Sequence, residues 1–182
     1  GGTSCDIAFI QDATPLEVTE GTIADRRLDV PAFDISTISA GGGTIARLGA
    51  SGLLSVGPDS AGADPGPVCY GNGGERPTVT DADLICGFLN PGFLLGGETP
   101  LDGAGARKAI EDELARPMGL SVDEAAAGIV RLINARMADE IRVQAAKKVI
   151  ELNEFTLVPF GGAGPVHAAM VADGLGIRRG LV

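Results

Sequence analysis

The chain has 182 residues, 45% of them hydrophobic and 21% charged, the proportions of a folded globular protein with enough mass for one hydrophobic core. A formal net charge of −10 excludes a nonspecific nucleic-acid binder, because neutralising phosphates takes clustered Lys and Arg. No apolar run approaches the ~20 residues of a spanning helix and no basic-then-apolar leader opens the sequence, so neither membrane nor export is indicated.

In chain order, Gly1 to Ser4 read as a turn into a short strand over residues 5–10, and a second strand is predicted over 17–23. Residues 29–38 alternate, with Pro31 placing their start near an edge. Segments 44–48 and 53–56 flank Gly49-Ala50-Ser51-Gly52 as the two arms of a hairpin. Residues 57–74 hold too many helix breakers for a regular element and are expected to form a loop.

The second half changes character. Asp102 is placed to cap a helix over 103–116, ended by Pro117, and Ser121 with Glu124 forms the capping box of the next one. That helix is the clearest element: Val122, Ala125, Ala126, Ile129, Leu132, Ile133, Met137 and Ile141 recur at three- and four-residue steps. An apolar strand at 155–160, a glycine turn at 161–165 and a short helix at 166–174 follow. The start at Gly1 and the apolar finish at Leu181-Val182 read as the ends of a fragment, a single domain over 1–182, strand- and loop-rich to about 100 and helical beyond.

The chain holds 28 glycines where average usage gives about 13, so backbone-defined turns are the first candidates for chemistry. Gly161, Gly162, Ala163 and Gly164 lie between a strand and a helix, where free N–H groups and the helix dipole favour phosphate or a ribose edge; a tight connection without ligand is the competing reading. Gly1, Gly2, Thr3 and Ser4, with Asp6 close behind, offer consecutive backbone donors, two hydroxyls and a carboxylate suited to a divalent metal, or form an ordinary turn. Gly41-x-Gly43-x-x-Ala46 fits a dinucleotide fingerprint formally, but a hairpin follows it rather than a helix, and no P-loop is present. Asp59, Asp64, Asp81 and Asp83, around the glycine-proline loop and the T-V-T-D-A-D segment, offer carboxylates suited to binding metal or orienting water, but are read chiefly as caps and turn formers. His167, the only histidine, has no accompanying nucleophile motif, and Lys147 with Lys148 complements a helix dipole. Cys5, Cys69 and Cys86 are an odd number without metal-ligand spacing, hence free thiols and a cytoplasmic assignment.

Taken together, G-G-T-S-C-D-I-A-F-I, A-G-G-G-T-I-A, V-G-P-D-S-A-G-A-D-P-G-P-V-C-Y-G, P-T-V-T-D-A-D-L and F-G-G-A-G-P-V-H-A resemble, in order, the hydantoinase A and oxoprolinase family, which also includes an acetone carboxylase subunit. The resemblance implies an α/β actin-like ATPase (ribonuclease H-like) fold, of which this chain is part of the second half. It also implies ATP and a divalent metal, Mg or Mn, as cofactors, with Gly1, Gly2, Thr3 and Ser4 at phosphate, Asp6 at the metal, and Gly161, Gly162, Ala163 and Gly164 at the nucleoside. The implied activity is ATP-dependent opening of a small cyclic amide through phosphorylation of its carbonyl. A hydantoinase B-type subunit or domain would complete the reaction within an oligomer, and the isolated fragment would be inactive. An acetone carboxylase-type subunit and a noncatalytic nucleotide-binding or assembly module are the alternatives. No catalytic residue is assigned. Cys5 stands where the family more usually has Thr, and the glycine that commonly ends the long helix in relatives is missing near Lys148.

Overall fold

Frequent prolines, glycines and paired polar residues keep the first extended segments short, and the computed structural model, which describes residues 2–23, 26–93 and 100–182, resolves them into brief ladders. The chain divides into two units, residues 6–38 on the one hand and residues 1–5 with 39–182 on the other.

The smaller unit is built from β1 (Cys5–Ala8), β2 (Ile10–Gln11), β3 (Thr14–Pro15), β4 (Glu17–Val18), β5 (Gly21–Ile23), β6 (Arg26–Leu28), β7 (Ala32–Phe33) and β8 (Ile35–Ile38). They pair as β1 with β8, β2 with β3, β4 with β7 and β5 with β6. The continuous strands expected over 17–23 and 29–38 are therefore each broken in two. Among the described residues, Ile7 and Phe9 are buried apolar side chains of this unit, whereas Ile10, Phe33 and Ile35 stay exposed.

In the larger unit, β9 (Thr44–Leu48) and β10 (Leu54–Ser60) form the expected antiparallel hairpin, with Leu54 opposite Leu48, Val56 opposite Ala46, and an irregularity between Val56 and Ser60. Helices α1 (Val79–Ile85), α2 (Gly103–Ile110), α3 (Arg116–Met118), α4 (Val122–Lys147) and α5 (Gly164–Leu175) follow. α4 packs against α1, α5 and β10. Its small and branched side chains Ala125, Ala126, Ile129, Ile133 and Met137 turn inward as their spacing predicts, and each fully buried isoleucine contributes about 1.5–3 kcal/mol of burial. Leu132, counted on that face from sequence, points outward at 37% exposure.

Three local expectations are corrected. Pro117 does not end its helix. A π turn over Glu111–Ala115 widens the backbone just ahead of it, so that the missing proline N–H falls where the regular ladder is already interrupted, and the segment stops only at Gly119, φ 69°. A short helix, α1, stands where the T-V-T-D-A-D segment had been read for its carboxylates alone. The strand expected at 155–160 is reduced to a single parallel bridge between Leu157 and Gly180, with Val158 and Phe160 exposed. Among the described residues, no helix is long and apolar enough to cross a membrane.

Candidate functional site

The centre of the larger unit is a glycine turn that sequence reasoning had set aside. Gly41, Gly42 and Gly43 are buried, and their backbone bonds reach three separate segments. Gly43 N donates to Gly2 O at 2.6 Å, Ala61 N donates to Gly43 O at 2.8 Å, and Thr80 N donates to Gly42 O at 2.8 Å. The turn closes on itself through Gly41 N to Thr44 Oγ1 at 2.8 Å. Glycine is sterically required here. A Cβ on Gly42 would stand 2.5 Å from Thr80 Oγ1, and one on Gly43 would stand 3.0 Å from both Gly2 O and Ser60 Oγ. Because β9 follows directly, the dinucleotide fingerprint has no helix to serve and that reading is dropped.

This turn brings two of the predicted sites together. Gly2 is held by Gly43, and a Cβ built on Gly42 would lie 3.6 Å from the Cβ of Ala163. Of the first predicted set, Gly1 lies outside the described residues, Gly2 and Thr3 are exposed, and Ser4 is half-buried. Of the second, Gly161 and Gly162 are exposed, Ala163 and Gly164 half-buried, and α5 starts at Gly164 with Pro165 in its first turn, where a missing N–H costs nothing. Gly161 has φ 89°, which itself calls for glycine. Gly2 and Gly162 differ: neither has a left-handed φ, and a Cβ on either would meet nothing within 4 Å. Packing does not explain why these two positions lack a side chain.

Asp6 belongs to the smaller unit, where its Oδ1 accepts from Thr37 Oγ1 at 2.6 Å. Among the described residues no three His, Cys, Asp or Glu side chains gather as a metal-ligating group. A lone carboxylate fits Mg²⁺, which keeps most of its waters and takes further oxygens from phosphate; it does not fit a protein-caged Ca²⁺ or a structural Zn²⁺.

The remaining aspartates separate by environment. Asp59 pairs at the surface with Arg47, 2.9 Å away. Asp81, fully buried, accepts from Cys69 N at 2.7 Å, Val68 N at 3.3 Å, and Thr78 N and Oγ1 each at 2.8 Å. It thus closes the capping box of α1 and pins the end of the glycine-proline loop. The structural reading of Asp81 holds. Burial, followed by the Asp81 carboxylate, pushes the Cys69 thiol far above its ordinary range, so Cys69 is not a thiolate nucleophile. Asp83 and His167 were missed as a pair: Asp83 Oδ2 lies 3.4 Å from His167 Nε2, with both side chains 3% exposed. No periodicity joins residues 84 positions apart, and only the fold, in which α1 and α5 both pack against α4, shows it. Lys147 lies in the last turn of α4 and Lys148 caps it, as the dipole reading expects.

A sequence profile of the hydantoinase/oxoprolinase family matches residues 1–182. The chain is 42% identical to the caprolactamase subunit alpha of Pseudomonas jessenii over 182 residues, covering all of this chain and 26% of that protein. It is 40% identical to 5-oxoprolinase 1 of Arabidopsis thaliana over 200 residues, covering all of this chain and 15% of that protein. Its fold superposes on the nucleotide-free structure of acetone carboxylase with a TM-score of 0.92 at 35% identity, again over all of this chain and 26% of the other. The chain thus spans about a quarter or less of the length of these relatives. A match from its first to its last residue, on a mixed fold with strands first and helices after, shows that the chain belongs to the hydantoinase/oxoprolinase family.

Proposed function

We propose that this chain is the nucleotide-holding portion of an ATP-dependent cyclic-amide hydrolase of the hydantoinase or 5-oxoprolinase type, a single functional domain of a longer cytoplasmic protein. The observation that carries the reading is a pair of open glycines on turns that both meet the buried run at 41–43. Gly2 and Gly162 have ordinary backbone angles and empty space where a side chain would stand, so a ligand can approach the main chain at both. Gly2, Thr3 and Ser4, with Gly1 before them, would face phosphate. Gly161, Gly162, Ala163 and Gly164 would face the nucleoside, helped by the free N–H groups and positive dipole end of α5. Asp6 would hold Mg²⁺ or Mn²⁺, directly or through water, and the ion when bound would supply charge neutralisation of the phosphates.

The substrate's amide oxygen would attack the γ-phosphorus as the bond to ADP breaks, giving an O-phosphorylated amide with an electrophilic ring carbon; water adding there breaks the C–N bond, and hydrolysis of the resulting acyl phosphate releases inorganic phosphate. Positioning by rigid backbone donors supplies most of what such a transfer needs. A hydantoinase B-type partner would carry out the ring-opening step, within an oligomer. A carboxylase reading is favoured by one observation, the TM-score of 0.92 to acetone carboxylase.

Calorimetric titration of Mg-ATP into the full-length protein should give saturable binding; none would overturn the reading. A turnover panel then ranks the substrates. Lactams, hydantoins or 5-oxoproline stimulating ATP cleavage is the expected result. Stimulation by a ketone with bicarbonate would move the assignment to the carboxylase class, and stimulation by hexoses alone would sink both.

A further inference from the structure

Asp83 on α1 and His167 on α5 form a buried polar contact that is poorly satisfied. Both side chains are 3% exposed, yet their closest approach is 3.4 Å, and Asp83 Oδ1 and both ring nitrogens of His167 make no hydrogen bond. Burying such groups is unfavourable unless they are well paired, and an apolar pair would avoid the cost. The surroundings already include such side chains: Ala82 and Ala168, next in sequence to each, are buried apolar residues.

Their placement supplies the reason. Three residues before Asp83, Thr80 donates its N–H to Gly42 and its hydroxyl fills the space where a Cβ on that glycine would stand. Three residues before His167, Gly164 opens α5 directly after the exposed turn. The pair therefore spans, one helical turn behind, the same gap that separates Gly42 from Ala163. We infer that Asp83 and His167 are positioning residues that set the spacing between the buried turn at 41–43 and the open turn at 161–164. At 3.4 Å the pair is within ion-pair reach without forming an aligned hydrogen bond, and it ties α1 to α5 at that level. Neither side chain would touch reacting atoms. Under the nucleotide-holding function proposed above, on which this consequence rests, the pair governs how tightly the open turn grips its ligand.

Full-length Asp83→Asn, His167→Leu and His167→Gln variants test this. Glutamine keeps an amide nitrogen near the place of Nε2, whereas leucine removes it. Asp83→Asn and His167→Leu should raise the KM for ATP about tenfold while kcat changes less than about threefold, as expected for lost ground-state positioning. His167→Gln should stay within about threefold of the parent in both. Hydrogen–deuterium exchange should speed up over residues 161–168 in the two damaging variants and stay unchanged over 125–145 of α4. If His167→Leu fails to fold, Asp83→Asn against His167→Gln gives the same contrast. An unchanged KM and unchanged exchange, or acceleration spread equally through α4, would overturn the inference and leave an ordinary packing pair. Should the parent protein bind no ATP at all, the function falls, and exchange at 161–168 still decides whether the pair sets the turn.

Discussion

Two glycine turns of the larger unit use the same residue for opposite ends. At 41–43 the glycines are buried and hydrogen-bonded to three segments, and added methyl groups on Gly42 and Gly43 would collide with Thr80, Gly2 and Ser60. At 161–162 the glycines are exposed and an added methyl group meets nothing. The first turn is closed by the protein itself, whereas the second leaves its main chain open to an outside group. A glycine cluster is therefore evidence of ligand binding only where the fold does not already fill the space. On that criterion the richest run, Gly41-Gly42-Gly43, is scaffold, and Gly2 and Gly162 are the positions of the two candidate turns that the fold leaves open.

The largest expected effect breaks the scaffold. Asp81→Ala leaves Val68 N, Cys69 N, Thr78 N and the Thr78 hydroxyl without their acceptor. At about 1–3 kcal/mol for each buried orphan, with partial relaxation, the loss should reach about 4 kcal/mol in chemical denaturation. A loss below about 1 kcal/mol would mean that the loop is pinned elsewhere. Next comes the direct contrast. Gly42→Ala forces a methyl group to within 2.5 Å of the buried Thr80 hydroxyl and should cost about 1–3 kcal/mol. Gly162→Ala should change stability by less than about 0.5 kcal/mol, yet weaken ATP binding about tenfold by occupying the approach. Equal stability losses would erase the distinction between the turns.

Much of this was legible in the sequence. The hairpin at 44–60 follows from two β-rich runs around a glycine-containing loop, and α4 from a capping box and an unbroken apolar stripe. α1 was missed although Thr78 and Asp81 have capping-box spacing, because its seven residues show too little periodicity to outweigh the preceding glycine-proline loop. The scaffold role of 41–43 was illegible, since its partners Gly2, Ala61 and Thr80 are distant in sequence. The long helix's end was half legible. Its missing glycine is visible as a departure, and the structure shows what replaces it: Val149 at φ 56°, in a Schellman turn where Val149 N donates to Ala146 O and Ile150 N to Ala145 O. A β-branched residue in the left-handed region costs about 1–2 kcal/mol, and Val149, 92% exposed, gains little packing in return. Val149→Gly should therefore raise stability by about 0.5–1 kcal/mol after the entropy of an unfolded glycine is deducted. Destabilisation would show that valine serves a contact made outside this chain.

The smallest effect concerns two copies of one motif in opposite settings. The box at Thr78 and Asp81 is buried; the box at Ser121 and Glu124 is exposed, with Glu124 accepting from Ser121 N at 2.8 Å and from its hydroxyl at 2.7 Å. The Ser121 hydroxyl bond, then its backbone bond, holds the Glu124 carboxyl below the ordinary glutamate value of 4.5. A depressed carboxyl pKa stabilises the fold fully above the unfolded value, and the contribution disappears as pH falls through the folded one. Between neutral pH and about 5, the parent and Glu124→Gln should hence differ by a constant amount, and the gap should narrow as pH falls below 4.5 and through the lower folded value, beneath which both side chains are neutral. Ser121→Ala should cost about 1 kcal/mol at neutral pH through the lost cap, and it should also remove most of the Glu124 acid dependence. Water competes for every bond in this exposed box, so its loss stays small. The same substitutions in the buried box strand donors that water cannot reach, which is why Asp81 ranks first and Glu124 last.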